Sequence, residues 1–397
     1  MKLRSLCGNL GLSFVSVLVT LVALEVLLRF LPVSNGLRIQ PVNEASPYFH
    51  GEPNRSFLFS RGWNFSIVNR GRLNAQGFVN NQDYDSTSHR PLLALIGDSQ
   101  IEALMVPFEQ TVSGRLARRV EGRGRVYSFA FSGAPLSQYL AWAKHAVESY
   151  RVSGLAIFVM SNDFDESIRR YARMPGFYQY DKPNGATEWV WVRKDYTPSP
   201  WRHFINASSL LQYLYRNVQV TKVKRSLMER LMTAVDCDPN RNRECTSNRF
   251  EANVVDYSQE RLASSQQIVD RFLRDIVQVT GLPRERILFV VDGLRQQIYE
   301  GRPPADSKSL ASKMFSYFLA AARKQGFEAI DMQGIFEANY AANRQRFEFP
   351  TDGHWNGYAH GVVAEAVAKS KLYQDIFGVA CNDVVPPQSA VAQVCPQ

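Results

Sequence analysis

Ser99 and His354 are the residues whose types and surroundings could support nucleophilic chemistry. Ser99 ends the tripeptide Gly97-Asp98-Ser99 after an apolar run, and His354 follows Asp352 by two residues. A serine hydroxyl is a weak nucleophile until a base takes its proton. Residues two apart in an extended loop project to the same side, so Asp352 can accept from one ring nitrogen of His354 and leave the other for Ser99. The pattern predicts a Ser–His–Asp triad with Ser99 as nucleophile.

Gly133 and Asn162 could stabilise the negative oxygen that forms when a serine attacks an ester. The donors would be the backbone N–H groups of Ser99 and Gly133 and the side-chain amide of Asn162. Each residue also has a purely structural interpretation. Ser99 could cap the helix that begins near Ile101, Gly133 could be a turn glycine, and Asn162 could stabilise an Asx turn. His354 could likewise be a surface-loop histidine.

Short apolar runs alternate with helical patterns from Pro91 onward, which predicts a parallel sheet with helices on both faces. The sequence favours a flavodoxin-like, three-layer α/β/α fold with a five-stranded parallel sheet. Ser99, Gly133 and Asn162 follow the first three of these runs, so they should meet at the carboxyl edge of the sheet, where ligands bind in such folds. The predicted strands cover residues 92–96, 126–130, 155–160, 287–291 and 327–330.

The predicted organisation has four parts. Residues 1–35 form a signal anchor, 36–90 a juxtamembrane stalk with an N-terminal extension, 91–375 the α/β domain, and 376–397 a tail. The α/β domain carries an insertion at about 164–256 that is rich in aromatic and polar residues. This insertion follows the third strand, so it is either a lid or substrate platform above the sheet edge or an inert addition with its own core.

The first segment predicts an exported protein. Lys2 and Arg4 precede a nearly unbroken apolar run, Leu10–Leu31, which is long enough to span a bilayer as a helix. Positive charge on the short N-terminal side favours export of the remainder. No clear cleavage site follows, so an uncleaved transmembrane helix is favoured over a cleaved signal peptide. We expect a single-pass protein of the bacterial inner membrane, with its catalytic domain in the periplasm.

The cysteines and the charge agree with that location. Four cysteines lie beyond the apolar run, and an even number in an oxidising compartment suggests two disulfides, most simply 237–245 and 381–395. No zinc-like spacing is present, so neither a metal nor a cofactor is expected. The net charge of +9 is scattered rather than clustered, and no nucleic-acid-binding motif accompanies it. Either a solvated basic surface or an affinity for acidic polysaccharide or anionic lipid explains that charge.

Ser99, Gly133, Asn162 and His354 match, in order, the four motif blocks of the SGNH (GDSL-like) hydrolase superfamily. The resemblance covers about residues 91–371 and implies Ser99 as nucleophile, Gly133 and Asn162 in the oxyanion hole, and Asp352 with His354 completing the triad. The last block, Asp352-Gly353-His354, is shorter than the usual Asp-x-x-His. In this it resembles the alginate O-acetylation proteins and related exported SGNH proteins of polysaccharide gene clusters.

That resemblance implies a serine esterase or O-acyltransferase acting on acyl groups, such as acetyl, of a cell-surface or exported polysaccharide. A lipid-directed esterase or thioesterase is one alternative, favoured by the membrane tether. A non-catalytic glycan-binding protein on the same framework is the other, although a binder need not keep Ser99, His354, Asp352 and Asn162 together. The expected partners are an acylated carbohydrate and, through the N-terminal helix, the membrane; no nucleic acid is expected.

Overall fold

The computed structural model describes residues 2–183, 188–220, 257–303 and 308–378. The strands are β1 (Ser56–Arg61), β2 (Ile67–Arg72), β3 (Leu92–Gly97), β4 (Arg125–Ala130), β5 (Gly154–Val159), β6 (Tyr178–Asp181), β7 (Val190–Arg193), β8 (Ile287–Val291), β9 (Glu328–Asp331), β10 (Glu348–Phe349) and β11 (Asp352–Trp355). The helices are α1 (Lys2–Arg29), α2 (Ser99–Glu102), α3 (Val112–Arg119), α4 (Leu136–Ser149), α5 (Asp163–Glu166), α6 (Pro200–Ala207), α7 (Ser209–Gln212), α8 (Gln259–Thr280), α9 (Arg295–Glu300), α10 (Leu310–Lys324), α11 (Met332–Asn343), α12 (Gly357–Ala368) and α13 (Lys371–Phe377).

The central sheet has five parallel strands in the order β4-β3-β5-β8-β9, which confirms the predicted three-layer fold. In order of occurrence this is 2-1-3-4-5, the flavodoxin-like arrangement. The first strand, β3, lies between β4 and β5, where the chain changes its direction of travel across the sheet. Ligands bind beside such a switch point, so the end of β3 is the expected position for a reactive group.

Strand β3 is buried on both faces because its residues are all apolar up to Gly97. Leu92, Ala94 and Ile96 belong to one core, which they share with α4, α8 and α10. Leu93 and Leu95 belong to the other core, which they share with α3 and α12. The alternation follows from the period of two along a strand, since successive side chains point to opposite faces. A continuous apolar run is therefore what a strand between two helical layers requires.

The segment before the sheet packs against the α/β domain. Strands β1 and β2 form an antiparallel hairpin. Tyr84 donates a hydrogen bond to the carbonyl oxygen of Ser128 on β4, and Trp142 on α4 donates one to the carbonyl oxygen of Phe49 at 3.0 Å. These buried hydrogen bonds place Tyr84 and Phe49, which belong to the region predicted as stalk and extension, beside β4 and α4 of the domain. The domain boundaries themselves stay a prediction.

Helix α1 contains an apolar stretch, Asn9–Arg29, that is long enough to cross a membrane and whose side chains are exposed except near its end, where Leu28 is buried. By length and composition it is a single-pass anchor or a signal sequence. Near its end, Glu25 accepts hydrogen bonds from Ser208 Oγ and from the backbone N–H groups of Ser209 and Leu210. The helix therefore docks onto the start of α7.

The insertion after β5 begins with α5 and continues into the antiparallel hairpin of β6 and β7 and the short helices α6 and α7. The predicted pairings Cys237–Cys245 and Cys381–Cys395 lie outside the described residues. The two disulfides therefore stay a prediction.

Candidate active site

Ser99 is the first residue of α2, directly after β3, with its side chain in a cleft at the carboxyl edge of the sheet. Asp98, rather than Ser99, caps the helix, since its carboxylate accepts from the backbone N–H of Gln100 at 2.9 Å. The alternative interpretation of Ser99 as the helix cap is therefore wrong. The Ser99 hydroxyl faces the cleft, where its Oγ lies 2.9 Å from His354 Nε2 and 3.4 Å from Asp98 Oδ2.

His354 is held between Ser99 and Asp352. Its Nδ1 forms a short hydrogen bond with Asp352 Oδ1, and its backbone N–H donates to the same oxygen at 3.1 Å. A carboxylate can only accept, so Nδ1 carries the proton and Nε2 is the acceptor that faces Ser99. The predicted loop is in fact a short hairpin, because β11 pairs with β10. The structure thus brings the three predicted triad residues together in the order that proton transfer requires.

Arg61 on β1 is a fourth member of this cluster that the sequence did not reveal. Its Nη2 lies 2.9 Å from Asp352 Oδ2, close enough for charge attraction although not aligned as a hydrogen bond. Burial raises the pKa of Asp352, but the hydrogen bond and charge of His354 and the charge of Arg61 outweigh burial and leave that pKa below its usual value. Asp352 is therefore ionised at neutral pH and able to stabilise a protonated His354.

Strand β11 is fixed from two sides. Arg295 Nη2 donates to the carbonyl oxygen of Gly353 at 3.0 Å and is itself ion-paired with Asp292. Trp355 donates its backbone N–H to Gln100 Oε1 at 2.8 Å and its indole N–H to Asp292 Oδ1 at 3.2 Å. Gln100 adjoins Ser99, so one contact joins the chain next to the serine to the chain next to His354. These contacts set the distance between the two reactive side chains.

Asn162 lines the same cleft as Ser99 and His354. Its amide Nδ2 donates to Glu166 Oε2 at 2.9 Å. An amide nitrogen has a second hydrogen, which remains available for a ligand oxygen in the cleft. Asp163 does not hold this amide. It instead accepts from the backbone N–H of Met160 at 2.7 Å and from Tyr139 at 3.0 Å.

Gly133 lies in the loop between β4 and α4 with φ of +79°, a conformation that favours glycine. A Cβ added there would meet only Met174 Cε, at 3.8 Å, so backbone conformation rather than crowding explains the glycine. Among the described residues, those that line the cleft include Asn162 but not Gly133. The structure therefore brings Asn162 to the triad directly and leaves Gly133 on the neighbouring loop.

The cleft has a volume of about 320 Å³ and is bounded by the carboxyl ends of β3, β5 and β8 and by β11. Asp292, at the end of β8, lines it. Asp331, the corresponding residue of β9, instead caps α11 by accepting from the backbone N–H of Gln333. Within the described part of the chain, no group of histidine, cysteine and acidic residues could hold a metal ion.

Glu102, the last residue of α2, is a second feature that sequence reasoning missed. Its Oε2 accepts from the backbone N–H of Ser132 at 3.0 Å and from the Ser132 hydroxyl at shorter distance. The side chain is 2% exposed, and burial raises the pKa of Glu102 to about 8 in spite of these hydrogen bonds. A protonated glutamic acid thus joins the helix of Ser99 to the loop of Gly133.

No protein-family model matches the chain, and no curated protein was found to match it. Among solved structures, it is similar to a lipolytic G-D-S-L family protein from Veillonella parvula (12% identity, 71% of this chain and 98% of that one, TM-score 0.34). It is also similar to a lipase/acylhydrolase from Enterococcus faecalis (11% identity, 73% of this chain and 96% of that one, TM-score 0.36). A third similar structure is Est24, a carbohydrate acetylesterase from Sinorhizobium meliloti (13% identity, 70% of this chain and 96% of that one, TM-score 0.32).

These likenesses are distant, so the assignment depends on the chain's own residues. Ser99 and Asn162 follow the first and third strands of a 2-1-3-4-5 sheet, and Gly133 follows the second. Asp352 and His354 reach the same edge from the last hairpin. In fold, in the order of its motif blocks and in the meeting of its serine and histidine, the chain resembles the SGNH (GDSL-like) hydrolase superfamily.

Proposed function

We propose that the protein is a membrane-anchored, extracytoplasmic serine esterase or O-acyltransferase that acts on acyl groups, such as acetyl, of a cell-surface or exported polysaccharide. The observation that carries the enzymatic part is the 2.9 Å contact between Ser99 Oγ and His354 Nε2, with Asp352 on the opposite ring nitrogen. This is the geometry that activates a serine hydroxyl.

In the proposed reaction, Ser99 Oγ attacks the ester carbonyl carbon while His354 Nε2 takes the hydroxyl proton. The bond from that carbon to the alkoxy oxygen then breaks, and the same proton passes from His354 to the departing alcohol. An acyl group remains on Ser99. Water or a sugar hydroxyl next attacks this acyl group and gives its proton to His354. The bond between the acyl carbon and Ser99 Oγ then breaks, and His354 returns the proton to Ser99 Oγ.

Electrostatic stabilisation of the two charges that develop comes from opposite sides of the cleft. The oxyanion would accept from the backbone N–H of Ser99, from the second amide hydrogen of Asn162 and from the backbone N–H of Gly133. The imidazolium of His354 is stabilised by Asp352, which His354 and Arg61 keep ionised in spite of its burial. The reaction requires no group beyond the protein's own side chains and backbone.

The extracytoplasmic location is supported by the exposed apolar stretch of α1 together with the basic residues that precede it. The polysaccharide substrate is supported by the short Asp352-Gly353-His354 form of the last block, which resembles exported SGNH proteins of polysaccharide gene clusters. An anchored domain outside the membrane has access to exported glycans and not to cytoplasmic esters.

The test is hydrolysis of p-nitrophenyl acetate by the detergent-solubilised full chain. Ser99→Ala should abolish the release of p-nitrophenol, whereas Ser161→Ala, a serine in the same cleft, should leave most of it. Equal turnover by the parent and by Ser99→Ala would show that Ser99 is not the nucleophile. Comparing acetyl with long-chain acyl esters, and an acetylated glycan with either, then tests the substrate class.

A further inference from the structure

A second and larger cavity, of about 590 Å³, lies in the insertion. It is formed by the segment that follows α5 and by the β6–β7 hairpin. Its lining carries five basic side chains and one acidic side chain: Arg169, Arg170, Arg173, Lys182, Lys194 and Asp181. Like charges gathered in a concave surface repel one another and raise the local concentration of anions. Such a lining therefore suggests a site for a ligand with negative charge.

The acidic partners near this cavity neutralise only part of its charge. Arg169 lies 3.4 Å from Asp181, and Arg170 forms an ion pair with Glu260. The carboxylates of Asp181 and Glu260 neutralise two of the five positive charges in the lining, so three positive charges remain in excess. For Arg173 and Lys194, both exposed, no ion pair is formed within the described residues. These two side chains are positioned to meet an anionic ligand from solution.

The cavity lies beside the predicted oxyanion-hole residues Gly133 and Asn162. Gln179, in its lining, donates to the carbonyl oxygen of Glu166 at 2.7 Å, and the Glu166 carboxylate holds the amide of Asn162. Met174, also in its lining, lies 3.8 Å from the Cβ position of Gly133. The lining of the cavity thus meets Gly133 directly, through Met174, and reaches Asn162 through Glu166.

We propose that this cavity is a subsite for the carboxylates of an anionic glycan whose acyl ester lies in the cleft beside Ser99. The proposal rests on the proposed function and names its substrate class. A glycan chain fits better than a flat membrane surface, because the charged surface is concave. Arginine and lysine supply the hydrogen-bond donors that carboxylates accept, and arginine can bind them in a bidentate manner.

The test measures binding separately from catalysis. The pocket variant is the double substitution Arg173→Gln and Lys194→Gln, and the matched control is Arg118→Gln with Lys324→Gln, which removes the same charge from exposed positions on other elements. Each detergent-solubilised full chain is titrated by calorimetry with an unesterified polyuronate oligosaccharide and with a neutral oligosaccharide of equal length.

We expect the pocket variant to bind the polyuronate about tenfold more weakly than the parent, because it loses two charge contacts that are partly exposed to solvent. The control should match the parent, and the parent should bind the neutral oligosaccharide far less than the polyuronate. Hydrolysis of p-nitrophenyl acetate should be equal in all three proteins, since neither pair lines the catalytic cleft. Ser99→Ala should bind polyuronate like the parent.

Two results would overturn the subsite. One is equal weakening in the pocket variant and the control, which would make the binding a general charge effect. The other is a parent that binds phosphatidylglycerol vesicles through Arg173 and Lys194 but not the polyuronate, which would identify a lipid site. If polyuronate binding is weakened only in the pocket variant while no protein hydrolyses any ester, the proposed function fails and the anion site stands.

Discussion

Glu102→Gln should change how the stability of the protein depends on pH. The Glu102 carboxyl is buried, and burial raises its pKa from 4.5 to about 8. Folding therefore favours its protonated form, and the folded chain binds more protons than the unfolded chain between these two values. Stability from this group is fully present below about pH 4.5 and is lost as the pH rises through about 8. Glutamine has a similar shape and keeps an acceptor oxygen for Ser132, but it does not titrate.

The magnitude follows from the two pKa values. Between about pH 5 and about pH 8, a carboxyl with these values lowers the free energy of unfolding by about 2 to 4 kcal/mol. The parent should lose this amount over that range in addition to the changes caused by its other titrating groups. Because those groups are common to both proteins, the difference between the two pH profiles isolates Glu102.

The assay is urea-induced unfolding of the detergent-solubilised parent and variant at several values between pH 5 and pH 8. We expect the free energy of unfolding of Glu102→Gln to fall less steeply with pH than that of the parent. Glu121→Gln, which removes an exposed carboxylate, controls for the change in total charge. Parallel profiles for the parent and Glu102→Gln would refute the reasoning, since they would mean that Glu102 is ionised in the folded protein.

Two further predictions concern the cleft. Arg61→Gln should lower kcat for p-nitrophenyl acetate by about tenfold, which corresponds to about 1.4 kcal/mol of transition-state stabilisation. It should also move the acidic limb of the pH–rate profile to higher pH, because the pKa of Asp352 loses a lowering influence. Arg70→Gln on the same hairpin is the control, and a pH–rate profile unchanged by Arg61→Gln would contradict the role of Arg61. Asn162→Ala should lower kcat by about 10² to 10³ with little change in KM, and a change confined to KM would place Asn162 in binding rather than in the oxyanion hole.

The sheet could be predicted from sequence because its strands are buried on both faces and so consist of continuous apolar runs. Leu92–Gly97 and Ile287–Val291 are examples whose bounds were predicted to within a residue. The position of Ser99 followed from the strand that precedes it. Asp352 and His354 could be paired because they are two residues apart and their interaction is local.

The contacts around the triad could not be predicted, because they join distant parts of the chain. Arg61 lies in a segment without periodicity, and nothing in its neighbourhood indicates Asp352 as its partner. Arg295 and Glu102 carry charges that normally face solvent, so their burial beside Gly353 and Ser132 depends on tertiary packing alone. The sequence also suggested Ser99 as a possible helix cap, and the structure gives that role to Asp98 instead; both residue types serve at that position.

Labelling with a fluorophosphonate probe, followed by peptide mapping, tests the central claim most directly. An activated serine attacks the phosphorus atom and keeps the adduct, so the result does not depend on the natural substrate. The parent should carry the label on the peptide that contains Ser99, and Ser99→Ala and His354→Ala should carry little or none. Equal labelling of the parent and Ser99→Ala, or a label on another peptide, would contradict the account.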